Sequence, residues 1–433
     1  MKGSRILSLF ILLLAGALPL GAQTPWPRGD NDNLTIRVSV MGPGDELYFW
    51  WGHIALIIED RAADEKKLYD YGLFSFENDN FFVNFAFGRL LYSCGVSRAE
   101  PNIAEYILAN RDVTFYTLDL PRETKERVRE FAEVNVRPEN RDYWYHHFKD
   151  NCATRIRDII DLATNGQFSE AFLDEPGRFT LRQHVRRHTW FNPLMDWFLN
   201  FAMGQDIDVP VTVWQEMFLP AEIGRRIADF RYRDMYGRER SLVKSVDVIH
   251  QSENRPLPLD TPRSQWPREL LLGLCVAAFV GLLAALREKR GARVLLGLSQ
   301  ALLGLFFGVA GFLTFFMSFF TNHDYTYNNA NLLFVNPLLF AAVPLGILYA
   351  FPPDPFRGNF RGFLLKALWS YVAAGGVFSM ALRLIPRFWQ RNEPTLALVL
   401  PFAAALSFAP DLILRFKRQY LWRYRGWSRD NSG

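Results

Sequence analysis

Two short stretches decide how this sequence folds: GHIALII at residues 52–58 and DNCATR at residues 150–155. In the first, His53 leads an apolar run whose composition predicts a buried strand. In the second, Asn151 is a good helix N-cap and places Cys152 in the first turn of an amphipathic helix. A histidine that leads a buried strand and a cysteine that starts a helix suit a thiol enzyme.

The surroundings of Cys152 favour its thiolate form. The positive end of the helix dipole and the charges of Arg155 and Arg157 stabilise a thiolate, and the Cys152 backbone N–H can donate to an oxyanion. His53 is the expected general base, because imidazole titrates near neutral pH. A buried histidine or cysteine alone is more often structural, and only the pair in this order favours catalysis.

A disulfide is the alternative use of the thiol. The sequence contains three cysteines, Cys94, Cys152 and Cys275. Cys275 falls within a predicted membrane span, which leaves Cys94 and Cys152 as a possible pair in an oxidising compartment. A domain of this size does not need one isolated bridge for stability, so we favour a free thiol.

Composition divides the chain into five segments. Residues 1–22 have the basic start, apolar core and small-residue end of a signal peptide, with an uncleaved anchor as the alternative. Residues 23–254 have the pattern of an α+β domain, and the proline-rich residues 255–267 that of a linker. Residues 268–418 contain hydrophobic spans, and residues 419–433 form a basic tail expected in the cytoplasm.

Alternation and composition predict the main elements of the α+β domain. The predicted strands cover residues 34–40, 53–58, 67–71, 85–96 and 114–120. A helix with proline at its start is predicted over residues 121–136, before the Cys152 helix. Residues 179–230 are predicted to be helical and are rich in aromatic side chains.

Five transmembrane helices are predicted after the linker. They cover residues 270–286, 294–320, 332–351, 367–384 and 396–414. The first and third loops and the tail are rich in Lys and Arg, whereas residues 321–331 have neither, so the α+β domain is expected outside. The net charge of +4 comes from these membrane-flanking segments, so we do not expect a nucleic-acid partner. We see no metal-binding or phosphate-binding motif, and no cofactor is expected.

A second polar cluster lies in the loop NHDYTYNNAN at residues 322–331 and continues into the third span. Polar side chains within a span are costly and tend to be functional, and Pro337 and Pro344 predict a broken start to this span. We interpret the cluster as a site for a lipid head group or substrate, although an ordinary loop that caps helix ends is the alternative. The expected substrate-binding residues are His323, Asn328, Asn331, Asn336 and Arg155.

The motifs resemble those of a known family. The stretches WGHIAL at residues 51–56, YDYGLFSF at residues 69–76 and DNCATR at residues 150–155 resemble the periplasmic domain of the Lnb-type bacterial lipoprotein N-acyltransferases. The polar stretch at residues 323–338 resembles that family's membrane-domain motif. The resemblance implies an α+β periplasmic domain with a permuted papain-like fold, of the NlpC/P60 and lecithin:retinol acyltransferase kind, followed by an all-α membrane domain.

On the same resemblance, His53 and Cys152 are the catalytic pair. A third, orienting residue is expected on the strand after His53, where Asp70 and Tyr71 lie on opposite faces and the choice stays open. The implied reaction moves an acyl chain from a membrane phospholipid to Cys152, and then from the thioester to the N-terminal amine of a diacylglyceryl lipoprotein. The implied location is a bacterial inner membrane, with the catalytic domain in the periplasm. The donor phospholipid and the oligomeric state are not specified by the sequence.

Two other functions fit part of the pattern. A membrane-anchored cysteine hydrolase, a peptidase or amidase that cleaves cell-wall peptide, would use His53 and Cys152 but would not need Asn336 or the polar outside loop. A non-enzymatic membrane assembly or receptor protein would bury both residues, and it predicts that Cys152→Ser has no effect. We favour the acyltransferase, mainly because of the family resemblance.

Overall fold

The structure is a computed structural model that describes residues 33–74, 80–352 and 360–409. Within these ranges the chain forms an α+β domain followed by a region of apolar helices, as the sequence predicts. The signal peptide predicted at residues 1–22 and the tail predicted at residues 419–433 lie outside the described residues.

A seven-stranded antiparallel sheet forms the centre of the α+β domain in the part of the chain that the structure describes. The strands of the domain are β1 (Leu34–Met41), β2 (His53–Asp60), β3 (Glu65–Leu73), β4 (Leu91–Arg98), β5 (Val113–Leu118), β6 (Asp142–Trp144), β7 (Arg231–Arg233), β8 (Glu239–Ser241) and β9 (Val243–His250). The order in the sheet is β6-β4-β3-β2-β1-β5-β9, while β7 and β8 pair separately. Strand β2 therefore lies at the centre of the sheet.

Nine helices accompany these strands among the described residues of the domain. They are α1 (Phe81–Ala86), α2 (Ala99–Leu108), α3 (Arg122–Asn135), α4 (Cys152–Ala163), α5 (Gln167–Phe172), α6 (Leu181–Thr189), α7 (Pro193–Ala202), α8 (Val213–Glu216) and α9 (Pro220–Ala228). The unbroken apolar run of β2 is explained by burial on both faces. Ile54 and Leu56 pack in the same core as Ile156 of α4, whereas Ala55 packs on the opposite face with Ile103 of α2.

Four of the five predicted strands are confirmed, and one is partly wrong. The strand predicted over residues 85–96 begins only at Leu91, because the aromatic residues before it belong to helix α1, which ends at Ala86. A short aromatic run suits a strand and a helix equally well, so composition alone misled the prediction. Strand β9 was not predicted, because its side chains are largely exposed and only Val246 and Val248 alternate with polar residues.

The described residues of the second region contain five apolar helices. They are α10 (Trp266–Ala285), α11 (Arg290–Phe320), α12 (Ala342–Ala350), α13 (Phe360–Leu382) and α14 (Glu393–Ala409). Four stretches are long and apolar enough to cross a membrane: α10, α11, α13 and the stretch Ala330–Ala350 that ends with α12. The predicted break is confirmed, since two 3₁₀ turns, Ala330–Leu333 and Pro337–Ala341, precede α12. The fifth predicted span coincides with the shorter α14, and its predicted end lies outside the described residues.

The predicted linker is attached to the α+β domain along part of its length. The guanidinium of Arg255 donates to Asp45 over 2.8 Å, and the indole N–H of Trp190 donates to the carbonyl of Leu257 over 3.0 Å. These contacts hold the chain against the domain as it approaches α10.

Candidate active site

His53 and Asp70 form a hydrogen-bonded pair on adjacent strands. In the antiparallel pairing of β2 and β3, Ala55 lies opposite Asp70, and Nε2 of His53 lies 3.0 Å from Oδ1 of Asp70. The backbone N–H of Gly72 donates to the same carboxylate oxygen over 2.9 Å. Tyr71 packs in the core with α4. Of the two orienting residues that the sequence left open, Asp70 is the one that contacts His53.

Among its neighbours, Asp70 contributes most to the charged form of His53. Burial is the largest single influence and lowers the pKa of this imidazole, but Asp70, Tyr106 and Cys152 together raise it by more. The net result is a His53 pKa well above its ordinary value. The ring of Tyr106 stacks on the imidazole, with centroids 6.1 Å apart and planes 13° apart. His53 can therefore hold a proton at neutral pH inside a largely buried site.

Cys152 is the first residue of α4, as the sequence predicts. The side chain of Asn151 accepts hydrogen bonds from the N–H groups of Ala153 and Thr154 over 2.9 and 3.0 Å, and the Thr154 hydroxyl accepts from the Asn151 N–H over 2.8 Å. Asn151 also donates to the carbonyl of Phe218 over 3.0 Å. This capping box fixes the start of α4, and Cys152 with it, against the rest of the domain.

The three groups meet beside Gly72. A Cβ atom built on Gly72 would lie 3.1 Å from Cε1 of His53, 3.6 Å from Oδ1 of Asp70 and 3.6 Å from Cβ of Cys152. Two strands and one helix thus contribute side chains to one small volume. Cys94 and Cys152 are both free thiols, which removes the disulfide alternative. The sequence predicted no role for Gly72, although a glycine inside a strand often marks a position where another group packs closely against the backbone.

Tyrosine side chains pack in the same core as Cys152. The rings of Tyr92 and Tyr145 stack with centroids 4.1 Å apart. Burial, with a contribution from Cys152, raises the pKa of Tyr92 to about 12 and that of Tyr145 well above its ordinary value. The hydroxyl of Tyr143 donates to the carbonyl of Tyr71. These phenols stay neutral, so they add aromatic surface to the site without adding charge.

The two arginines of α4 are engaged by other groups of the protein. Arg155 forms two hydrogen bonds with the carboxylate of Asp150, 2.6 and 2.7 Å long. Arg157 lies 3.9 Å from the ring centroid of Trp214 and donates to the Trp214 carbonyl over 3.0 Å. The role of Arg155 in substrate binding stays a prediction. To bind substrate, its guanidinium would have to contact the substrate and Asp150 at the same time.

The loop between α11 and the third span contacts the segment that leads into α4. Oδ1 of Asp324 lies 2.7 Å from Nε2 of His146, and Oδ2 lies 2.5 Å from Nζ of Lys149. The hydrogen bond from His146 lowers the pKa of Asp324 most; partial burial raises it, and Lys149 lowers it further, so the net shift is downward. This carboxylate therefore attaches the loop to residues only a few positions before Cys152.

Two neutral histidines lie at the same junction. Nδ1 of His323 is 2.8 Å from the hydroxyl of Thr321, and the ring of Tyr325 lies between His323 and His147, with centroid distances of 5.7 and 5.4 Å. Burial lowers the pKa of His323 and lowers that of His147 to about 4. Both imidazoles are therefore uncharged at neutral pH.

The asparagines predicted to bind substrate have partners within the protein. Asn331 is fully buried and donates to the carbonyl of Phe201 over 3.0 Å. Asn336 donates to the hydroxyl of Tyr371 over 2.6 Å, whereas Asn328 is exposed. Asn331 and Asn336 thus hold structural elements together, and a role for these side chains in substrate binding stays a prediction.

Comparison with known families accounts for both regions. Residues 22–187 match the family model described as the Lnb N-terminal periplasmic domain, and residues 263–352 match the Lnb transmembrane domain. Together the matches cover more than half of the chain, in the same order as the two regions of the fold. The chain belongs to the Lnb family. No curated protein and no solved structure matches it.

Membership in the Lnb family makes this chain a multi-pass membrane protein with a periplasmic domain. His53, Asp70 and Cys152 all lie within the periplasmic match, and Asp324 lies within the transmembrane match. The contacts of Asp324 with the periplasmic domain agree with a loop on the outside of the membrane. The sequence resemblance to the Lnb family is thereby confirmed.

Proposed function

We propose that this Lnb protein is a cysteine-dependent acyltransferase of the bacterial inner membrane. It moves a fatty acyl chain from a phospholipid to the N-terminal amine of diacylglyceryl lipoproteins. The observation that carries the proposal is the meeting of His53, Asp70 and Cys152 beside Gly72, next to a loop from the membrane region. The family membership supports the lipoprotein acceptor.

In the first step, the sulfur of Cys152 attacks the carbonyl carbon of an acyl ester in the phospholipid. His53 takes the thiol proton and gives it to the departing glycerol oxygen, so a lysophospholipid leaves and an acyl-thioester remains. Asp70 supports this role because it raises the pKa of His53 and fixes the ring. The backbone N–H of Cys152, at the start of α4, donates to the oxyanion.

In the second step, the lipoprotein α-amine attacks the thioester carbonyl. The C–S bond breaks, an amide forms, and His53 accepts the amine proton as Cys152 is released. An ordinary α-amine has a pKa of about 8, so a useful fraction is neutral and nucleophilic at neutral pH. The thioester preserves the activation of the acyl group, and the reaction needs neither a nucleotide nor a metal.

Exposed apolar side chains of α1 suit a lipid donor. Phe82 is 71% exposed and Val83 is 54% exposed. Phe87 directly follows α1, and its carbonyl accepts a hydrogen bond from the Asn322 N–H over 2.9 Å. The ring centroid of Phe87 lies 5.6 Å from that of Phe316 in α11. Helix α1 is thus attached to the periplasmic end of a membrane span, where apolar surface faces lipid rather than water.

A cysteine hydrolase that acts on cell-wall peptide would use the same His53 and Cys152. The contacts of Asp324 favour acyl transfer, because they join the membrane region to the segment that carries the nucleophile. Cleavage of a soluble peptide does not require such a connection.

The first test is intact-mass spectrometry of the purified full-length protein after incubation with phospholipid vesicles. Wild type should gain the mass of one acyl chain, and neutral hydroxylamine should remove it. Cys152→Ala should gain none, whereas Cys94→Ala, which removes a buried thiol elsewhere in the sheet, should acylate like wild type. An adduct that persists in Cys152→Ala would contradict the thioester.

The second test adds a synthetic diacylglyceryl-cysteine lipopeptide to the acylated enzyme. Acyl transfer predicts loss of the adduct and a lipopeptide that is heavier by one acyl chain. Release of free fatty acid, with the lipopeptide unchanged and cell-wall peptide cleaved, would support the hydrolase instead.

A further inference from the structure

A second polar site lies where two apolar helices begin. A cavity of about 220 Å³ lies between α6 and the starts of α10 and α14. Its lining includes Arg186, Arg263, Trp266, Arg391 and Glu393. Three arginines and one glutamate therefore line one small cavity.

Arg186 brings a buried positive charge to this cavity. Its side chain is only 6% exposed. It donates to Oδ1 of Asn200 over 3.2 Å and to the carbonyl of Arg391 over 3.0 Å. Burial, together with repulsion from Arg182, lowers the pKa of Arg186 to about 10, so the group still carries its charge at neutral pH.

Arg391 has hydrogen-bonding capacity that the described residues leave unused. Its Nε is buried and has no hydrogen-bond partner in the described part of the chain. Its guanidinium lies 5.2 Å from the ring centroid of Trp389. The carboxylate of Glu393 does not supply the missing contact, because it is paired with Arg383 over 2.5 Å. A buried N–H without an acceptor is costly, and anionic oxygens are the partners that guanidinium groups bind most strongly.

The cavity lies at the periplasmic surface of the membrane. Helix α10 follows the linker from the periplasmic domain and begins with the exposed Trp266, a residue typical of membrane interfaces. The other helix, α14, begins two residues after Arg391, whose backbone N–H donates to Asp208 of the periplasmic domain over 3.0 Å. Arginines on this side run against the positive-inside rule, so their clustering here needs a specific reason.

We propose that this cavity binds the phosphate diester of a phospholipid in the periplasmic leaflet. Guanidinium groups match phosphate oxygens in charge and geometry, and the cavity opens where head groups lie. Bound lipid would fix the periplasmic domain relative to the bilayer surface. The proposal depends on insertion of the Lnb protein in a membrane and not on the acyl-transfer reaction.

Native mass spectrometry of the full-length protein in nonionic detergent tests the proposal. The Cys152→Ala background is used, so that acylation does not contribute to the mass. Phosphatidylglycerol should bind, and Arg391→Gln should weaken binding about tenfold or more, as expected for loss of a charge-assisted contact. Arg387→Gln, an exposed arginine in the same loop but outside the cavity, is the matched control and should bind normally.

Three results would overturn the assignment. Equal binding by Arg391→Gln, with Arg263→Gln also unaffected, would exclude the cavity. Equal binding of diacylglycerol, which has no phosphate, would assign binding to the acyl chains. Displacement of the lipid by inorganic phosphate at equal concentration would identify a site for free phosphate. Arg263 is exposed, so its substitution keeps the test decisive if Arg391→Gln fails to fold.

Discussion

Replacement of Gly72 by alanine would insert one methyl group among the side chains of His53, Asp70 and Cys152. The added Cβ would lie 3.1 Å from Cε1 of His53, tighter than nine in ten real contacts of this kind, and at an ordinary 3.6 Å from Cβ of Cys152. Gly72 is not among the residues with positive φ, so alanine adds no backbone strain. The imidazole must therefore move by a few tenths of an ångström.

Gly72→Ala is expected to lower the rate of Cys152 acylation and to leave the free energy of unfolding nearly unchanged. A displacement of about 1 Å at a reacting group costs roughly 10²-fold in rate, so a few tenths of an ångström should slow Cys152 acylation by about three- to tenfold. Alanine in a strand gains about 0.5–1 kcal/mol over glycine, which offsets much of the steric cost. The free energy of unfolding should therefore change by less than about 1 kcal/mol.

Quenched intact-mass measurements of acyl-enzyme formation, paired with thermal unfolding, give both quantities. Gly281→Ala is the control, because a Cβ there meets nothing within 4 Å, and it should acylate like wild type. If Gly72→Ala acylates at the wild-type rate with an unchanged melting temperature, His53 and Cys152 do not react through the space beside Gly72, and the site geometry proposed above is refuted.

Three other substitutions test separate contacts. Asp70 raises the pKa of His53, so the pairing of the two residues stabilises the fold below a pH of about 6.5, and this stabilisation is lost as the pH rises through the raised pKa. The melting temperatures of Asp70→Asn and wild type should therefore differ most near pH 5 and converge in alkali. The rate of Cys152 acylation in Asp70→Asn should fall about 10²-fold or more. Asp324→Asn should cost at most about 1 kcal/mol in unfolding, because its partners are partly exposed, yet it should slow acylation from vesicles. Asn151→Ala should lower the free energy of unfolding by about 2–3 kcal/mol in denaturant titrations, because the cap and two carbonyl contacts are lost together.

The positions of His53 on a strand and Cys152 on a helix were predictable because each residue has a local signal. His53 leads an apolar run that must be a buried strand, and Cys152 follows an asparagine that caps the next helix. Both signals depend only on neighbours in the sequence, where propensity and periodicity are informative. The antiparallel sheet and the region of apolar helices were predictable for the same reason.

The remainder of the site depends on contacts between distant segments. Asp70 reaches His53 because of the register of β2 against β3, and a shift by one residue would have presented Tyr71 instead. The contact of Asp324 with His146 joins positions 178 residues apart. No periodicity encodes such a pairing, so the sequence revealed a polar loop without revealing what it contacts.

The junction between the two regions determines which experiments can separate the rival functions. Carbonyl groups at the end of α7, which have no partner within a helix, accept hydrogen bonds from the membrane region. Asn329 and Asn331 donate to the carbonyl of Phe201 over 2.8 and 3.0 Å, and Gln390 donates to that of Met203 over 3.1 Å. A fragment that ends before α10 loses all three donors and should unfold at lower denaturant concentration. Loss of activity in such a fragment would therefore not separate a hydrolase from an acyltransferase, so that comparison requires the full-length protein.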